Sequence, residues 1–364
     1  MQPDDTLPCR VSIVIKALNE EKRIATAIET SLHALRHIGG EVILADSCSS
    51  DRTIEIAARY PIKIVQLENP AERCCGIGPQ LGYQYAQGEF IYILDGDMEM
   101  LDGFLEKAVS LMDKRPDIAG VGGRIVEMNT HSLEYISRME RQSGHMQPGE
   151  VDRLDMGGLY RRAAVEQSGY FSNRNLHSYE EFDLAIRLRV RGWKLWRLPM
   201  PSVNHHGHDT PHYQLLLRRW NSRYICGLGE LLRAAVGQPH LPLALAGLRE
   251  LKIYLGILLW ALTLVVCLLL PLPAGYRLAL FLPLALAPFA LMTLRKRSLS
   301  KAVYSVASWL LNGIGVVRGF LHRQHPPRAP IAALRISGHQ PQGAGMARDE
   351  PSGLFPSRPA SQEP

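Results

Sequence analysis

The stretch "FIYILDGDMEM" at residues 90–100 sets Asp95 and Asp97 one glycine apart at the end of an apolar run. Two ionised carboxylates this close repel unless something positive sits between them. Asp and Gly are also ordinary turn residues, and a strand has to end somewhere. On the tripeptide alone, an ordinary turn is the preferred reading. A second acidic group follows Asp46 in "ADSCSSD", and a third opens "EEFDLAIRLRVRGW" with Glu180, Glu181 and Asp183. The stretch "NHHGHDTP" adds His205, His206 and His208. Adjacent histidines do not easily share one metal, so a loop with a single functional histidine is preferred to a zinc site.

The elements around these residues decide between a turn and a site. "VSIVIKAL" (11–18) is a continuous apolar run of the kind buried on both faces of a parallel sheet. "EVILAD" (41–46), "IKIVQLE" (62–68) and "FIYILD" (90–95) repeat the pattern. Between them the spacing predicts helices. The first is capped by Asn19 with an inner stripe of Ile24, Ala27, Ile28, Leu32 and Leu35, a short one starts at Ser50 or Asp51, and a third lies around 79–87. Such alternation predicts an open α/β sheet, whose ligands bind at the carboxyl ends of the strands. Asp46 and Asp95 both fall at such an end, so the two clusters converge in one crevice. A lone turn would not require that. Further on come a strand at "IAGVGGRIVEM", a strand or loop with a helix over 156–171, an acidic helix and Trp-rich strand over 178–199, and a basic, aromatic helix from 212.

The chain has 364 residues, enough for one large domain with additions, and a formal net charge of +6. That surplus suits an anionic partner such as a nucleotide diphosphate or phospholipid headgroups. No nucleic-acid partner is expected, because the Arg-rich "RLRVRGWKLWR" is accounted for as a solvated face near an anionic membrane. The six cysteines show no paired metal-ligand spacing and read as reduced thiols. "MQPDDTLPCR" is no hydrophobic signal, which places the N-terminal part in the cytoplasm. Two apolar segments, about 252–273 and 277–294, with no charged side chain from Ile253 to Tyr276 or from Leu278 to Leu294, predict a transmembrane hairpin. Arg249, Lys252 and "RKRSLSK" put both outer ends on the cytoplasmic side. The expectation is a multi-pass protein of the inner (cytoplasmic) membrane. Residues 302–320 read as an interfacial amphipathic helix, with a third span as the alternative, and the tail from about 325 as disordered.

These motifs resemble, in order, those of the family 2 glycosyltransferases of the GT-A fold, over roughly residues 9–225. "VSIVIKALNEE" resembles the family's opening strand and Asn-Glu turn, and "ADSCSSDRT" its Asp-rich second strand end. "ERCCGIGPQLGYQYAQGEFIYILDGD" is similar to its approach to an Asp-x-Asp, "MGGLYRR" to its acceptor-side Gly-Gly segment, and "EEFDLAIRLRVRGW" to its general-base helix. The resemblance implies a GT-A open mixed sheet with flanking helices, followed by the transmembrane hairpin. It implies inverting transfer of a sugar from a nucleotide-diphosphate donor to a glycan or lipid-linked acceptor, with Mg2+ or Mn2+ as cofactor and membrane lipids as neighbours. The parts are then a tail (1–8), a catalytic domain (9–225), a juxtamembrane linker (226–251), the hairpin (252–294), a basic loop with an interfacial helix (295–324) and the tail (325–364).

The resemblance also assigns roles. Asn19, Glu20, Asp46, Arg73, Asp95 and Gly96 would take the nucleotide-sugar, with Asp46 at the base or ribose and Arg73 towards the diphosphate. Asp95, Asp97 and His205 would hold the cation, with His206 nearly as good a candidate as His205. Glu181 would be the general base, supported by Asp183. Gly157, Gly158, Glu180, Arg187, Arg219 and Trp220 would face the acceptor. There are departures. Lys16, Ala17 and Leu18 stand where many relatives have Pro-Thr-Tyr, Gln80 where Asn is usual, and Glu181 where Asp is commoner. "QLLLRRW" (214–220) mis-spaces the Gln-x-x-Arg-Trp of processive synthases. Two alternatives stay open, a polyprenyl-phosphate sugar synthase and an inactive GT-A-like membrane scaffold, although the complete set Asp46, Asp95, Asp97 and Glu181 speaks against the scaffold.

Overall fold

The four apolar runs form β1 (Val11–Ala17), β2 (Gly40–Asp46), β3 (Lys63–Leu67) and β4 (Phe90–Asp95) in a computed structural model that describes residues 9–129, 144–155, 157–207 and 212–336. They pair in parallel in the order β3-β2-β1-β4. Alternate residues of β1 supply opposite faces: Val11, Ile13 and Ile15 enter one core cluster and Val14 the other. Helices α1 (Ile24–Ala34), α2 (Thr53–Ala57) and α3 (Ile77–Tyr85) make the crossovers. Asn19 does not cap α1, which begins five residues later at Ile24, behind Arg23 and without a side-chain cap. Asn19 is used elsewhere, as described below.

Next in the chain are β5 (Met98–Met100), α4 (Phe104–Lys114), β6 (Ile118–Glu127), β7 (Gly149–Val151), β8 (Gly158–Arg161), α5 (Arg162–Ser168), α6 (Glu180–Arg189) and β9 (Lys194–His205). β8 runs antiparallel between β4 and β6, which makes the sheet mixed. β5 pairs antiparallel with β9, setting Met98 opposite His205. This pairing carries the histidine loop back to the Asp-Gly-Asp turn.

The basic, aromatic segment is broken into α7 (His212–Asn221) and α8 (Gly227–Ala235), because Arg223 takes a left-handed φ of 60° between them. After α9 (Leu241–Gly247) come α10 (Glu250–Leu269) and α11 (Ala274–Lys296), with mean hydropathies of 2.3 and 1.8 over their most apolar windows. Only 11% and 6% of those windows are buried, so the apolar surface is turned outward and fits a bilayer better than a protein core. Among the described residues these are the two helices long and apolar enough to cross a membrane.

The helix expected at 302–320 is α12 (Leu299–Leu321), and protein covers the side of it that carries Ala302, Val306, Gly313, Val316 and Gly319, while Val303, Ile314 and Val317 stay exposed. Ala302 and Val306 pack with Ile257 of α10 and Met292 of α11. Its other half lies against α8 through glycines. A Cβ at Gly319 would stand 2.1 Å from the Cys226 carbonyl oxygen, and one at Gly229 would stand 2.0 Å from that of Val316. The tail expected to be disordered from 325 is ordered to 336: β10 (Ala333–Ile336) adds antiparallel to the β3 edge. Its composition looked like a solvated tail, but the unpaired edge of β3 offered hydrogen bonds that only a few residues are needed to satisfy.

Gly319→Leu should therefore force α12 off α8 and cost about 1–3 kcal/mol or more. Thermal unfolding of the purified protein in detergent checks it. An unchanged transition would mean that the two helices do not need this close approach.

Candidate active site

At the carboxyl ends of the parallel strands the register lays Ala17 beside Asp46 and Lys16 beside Asp95. Asp46 is fully buried. It accepts hydrogen bonds from the Ser49 backbone N–H (2.8 Å), the Ser49 hydroxyl and Gln66 Nε2 (2.9 Å). Its oxygens thus shape the loop 47–51. Asn19 sits at φ 60°, a conformation Asn tolerates better than most residues. Its Oδ1 accepts from the Ser50 N–H (2.7 Å) and its own N–H donates to Ser49 Oγ (2.8 Å). Arg73, exposed, donates to the Cys48 carbonyl. Asn19, Asp46 and Arg73 therefore converge on one loop at the rim of the crevice.

Gly96 lets the Asp-Gly-Asp turn close on Glu20, since a Cβ there would lie 2.8 Å from Glu20 Cγ. Burial, then the charges of Asp97, Asp95 and Asp51, push the Glu20 pKa up to about 7 against the pull of Arg218. Asp97 is buried, and His205 Nε2 stands 3.4 Å from its Oδ2. His205 Nδ1 is 2.6 Å from Glu127 Oε1. Burial alone would lower the His205 pKa. The hydrogen bonds to Asp97 and Glu127 reverse this and raise it to about 9. The structure thus brings Asp97 and His205 together, with the imidazole committed to two carboxylates. His206 is turned to Glu99 at 2.8 Å, and His208 lies outside the described residues.

On the other side of the crevice, the Gly157 N–H donates to Glu181 Oε1 at 3.1 Å. Gly157 has φ +96°, and a Cβ there would meet the Ile93 carbonyl at 2.6 Å, so no other residue fits without strain. Gly158, at φ +149°, opens β8 beside it. Glu181 is recessed. Burial raises its pKa to about 8, Lys16 opposing and Glu180, Asp155 and Asp95 adding to the rise. Lys16 Nζ lies 3.0 Å from Asp95 Oδ1 and 3.6 Å from Glu180 Oε1, linking the two sides. Burial would lower the Lys16 pKa, but Asp95, Glu180 and Glu181 together raise it well above its usual value. A small pocket opens here between Lys16, Ile93, Gly157, Tyr160, Phe171 and Glu181.

Other expected site residues lie off this pocket. Arg187 Nε binds Asp183 Oδ2 at 2.8 Å, with both side chains almost inaccessible. Arg187 also donates to the Tyr170 (2.7 Å) and Phe171 (3.0 Å) carbonyls, so the pair staples the 168–171 loop under the site. Arg219 stacks over Tyr224, and Arg318 of α12 over Trp220, so neither Arg219 nor Trp220 lines the pocket. Gln80 supports the pocket wall by accepting from the Phe171 (3.0 Å) and Ser172 (2.9 Å) N–H groups. Lys16, Glu99 and Glu127 were missed by sequence reasoning as site residues. The signal for Lys16 was there, since a lysine ending a buried apolar strand needs a counter-charge.

The donor chemistry fits a hard divalent cation. Asp95 Oδ1 is buried and receives no aligned hydrogen bond, and Asp97 and Glu20 add carboxylate oxygens beside it. Among the described residues no three acidic, His or Cys side chains are close enough to enclose an ion alone. That is the pattern of a cation such as Mg2+, held by one or two carboxylates and completed by substrate phosphates.

The profile described as Glycosyl transferase family 2 matches residues 12–169. Those residues are a family 2 glycosyltransferase domain. The domain is 27% identical over 157 residues to "Probable glucomannan 4-beta-mannosyltransferase 1" of Arabidopsis thaliana. It is equally similar, 27% over 162 residues, to "Probable glucomannan 4-beta-mannosyltransferase 2" of Oryza sativa subsp. japonica. The matches take in 40% and 42% of this chain but only 28% and 27% of those proteins, so the chain spans under a third of the length of these relatives. The fold is similar to "Mannosyltransferase PcManGT from Pyrobaculum calidifontis in complex with GDP-Man and Mn2+", with TM-score 0.57 and 17% identity over 87% of this chain and 89% of that one. The sheet is the mixed GT-A sheet expected from the sequence. The family match ends before Glu180, Glu181 and His205, which reach the glycosyltransferase crevice through α6 and β9.

Glu181 should be protonated at pH 7 in the free protein and lose its proton as pH rises through about 8. Infrared difference spectra should show one carboxylic-acid band vanishing over that range, and Glu181→Gln should lack it. A band that titrates in the ordinary carboxylate range would contradict the recessed position.

Proposed function

We propose that the chain is a divalent-cation-dependent, inverting glycosyltransferase that moves a sugar from a nucleotide-diphosphate donor to a glycan or lipid-linked acceptor at a membrane surface. The observation that carries this reading is Glu181, a recessed carboxylate held by the Gly157 N–H in the pocket that Lys16 also lines, with Lys16 in turn meeting Asp95 of the Asp-Gly-Asp turn. An alcohol becomes a good nucleophile only as a base removes its proton, and a base works best with a pKa near the operating pH. In an inverting transfer the base lies opposite the leaving group, so the aspartates at the diphosphate end cannot serve. Glu181, steadied by the Gly157 N–H, takes the acceptor hydroxyl proton, and Tyr160 and Phe171 form an apolar wall beside it. Asp95 and Asp97 would hold the cation, which when bound offsets charge building on the departing diphosphate. The plant relatives are named for mannosyl transfer and the Pyrobaculum structure for GDP-Man and Mn2+, so GDP-mannose with Mn2+ is the first donor to test.

Glu181→Gln should keep donor binding near wild type and lower kcat by at least ~10²-fold. Glu180→Gln should be milder and Glu181→Asp should retain partial activity. Asp97→Ala should remove activity and weaken nucleotide-diphosphate binding, as should excess EDTA. Full turnover in EDTA would end the cation reading, and a dead Glu180→Gln beside a normal Glu181→Gln would move the base by one residue.

We place the protein at the inner (cytoplasmic) membrane, with α10 and α11 as a hairpin and the catalytic domain on the cytoplasmic side. The supporting features are the outward apolar surfaces of both helices and the basic residues Arg295, Lys296 and Arg297 at the far end. Reporters fused after residues 249 and 300 should both face the cytoplasm. Reporters on opposite sides would leave only one span.

A further inference from the structure

Lys16 is the feature of the site that the mechanism above leaves unused. Register pairs it with Asp95 across two parallel strands, so both side chains leave the sheet on the same face. α3 backs it, since a Cβ at Gly78 would lie 3.2 Å from Lys16 Cβ. Its ammonium has little freedom to leave, with Asp95 Oδ1 at 3.0 Å and Glu180 Oε1 at 3.6 Å. A fixed positive charge therefore stands against the buried oxygen that a divalent cation would use.

We infer that Lys16 is a built-in counter-ion of Asp95 that competes with the divalent cation, so that the free protein holds the cation weakly and retains it only together with the donor's diphosphate. An ammonium and a dication at one carboxylate repel, and at this range the repulsion is large against thermal energy even with generous screening. A nucleotide diphosphate brings two or more negative charges and supplies the missing ligands, which tips the balance. Lys16 is then a positioning residue that couples cation binding to donor binding. Processing without a donor, such as capture of a bare metal ion, is suppressed.

The inference rests on the reading of Asp95 and Asp97 as the cation's carboxylates, and its test separates the two. Mn2+ binding to the full-length protein in detergent is measured by electron paramagnetic resonance of the free ion, first with Mn2+ alone. Lys16→Met and Lys16→Gln should each bind Mn2+ at least about tenfold more tightly than wild type. Lys16→Arg keeps the charge and should stay close to wild type. Arg218→Gln removes a positive charge that acts on Glu20 without pairing with Asp95, and it should shift affinity far less. GDP or UDP, added separately, should tighten Mn2+ binding strongly in wild type and much less in Lys16→Met. The inference is overturned if wild type binds Mn2+ and neither Lys16→Met nor Lys16→Gln binds it more tightly. It is also overturned if Arg218→Gln matches them, because the effect would then be the general field of the site. No Mn2+ binding by any variant, with or without nucleotide, would overturn the cation reading along with it.

Discussion

The site depends on how a buried parallel sheet tolerates acids at its strand ends. β1 and β4 are buried on both faces, and their register is fixed by Val11, Ile13 and Ile15 on one side and Val14 on the other. A slip of one residue would turn every side chain to the wrong face. That register sets Lys16 against Asp95, and the turn at Gly96 then sets Asp97 against Glu20. Uncompensated carboxylates so placed would raise each other's pKa, as Glu20 shows, unless positive groups met them. Lys16 meets Asp95 from the same sheet, and His205 meets Asp97 from the antiparallel β5–β9 pair. The Asp-Gly-Asp turn is thus held by one cation from the parallel half and one from the mixed half.

The mixed half has a second task. β8 enters antiparallel beside β4, and the glycine just before it points its N–H at Glu181. Glu181 is thereby tied to the same strand, β4, that ends in Asp95. Asp183 and Arg187, one turn further along α6, make a buried ion pair that holds the 168–171 loop against the pocket. Removing one partner of such a pair leaves a buried charge and costs about 3–5 kcal/mol. Loss of function in an Arg187 variant would therefore report on the loop and say little of the acceptor.

The parallel half was legible in the sequence because continuous apolar runs of Val, Ile and Leu admit few alternatives. The convergence of Asp46 and Asp95 followed from it. What was not legible depended on pairings between distant segments. Nothing local says that Asp46 will be enclosed by Ser49 and Gln66, that Asn19 will join two loops instead of capping a helix, or that Asp183 will choose Arg187. Glu99 and Glu127 were invisible for the same reason, since each meets its histidine only through β9. The strand at 333–336 has four residues and no periodicity of its own. Only the free edge of β3 calls it into being.

That strand closes a path from the two apolar helices to Glu181. α12 packs on both hairpin helices, and the chain leaving it passes the segment that leads into α6. Gln324 Nε2 donates to the Glu230 carbonyl (2.8 Å), while the Glu230 carboxylate receives the His177 N–H (2.9 Å). Asn175 and His325 exchange two hydrogen bonds, and Arg174 donates to the Ala329 and Pro330 carbonyls. β10 then anchors the end of the path to the sheet itself. The segment 174–177 is consequently gripped from outside by chain that follows the hairpin, and from inside by the loop that Gln80 and Arg187 hold. Glu181 follows that segment by four residues. Tilting α12 against the sheet would have to break these bonds or move the start of α6, so the position of Glu181 is mechanically bound to the two apolar helices α10 and α11 on which α12 packs.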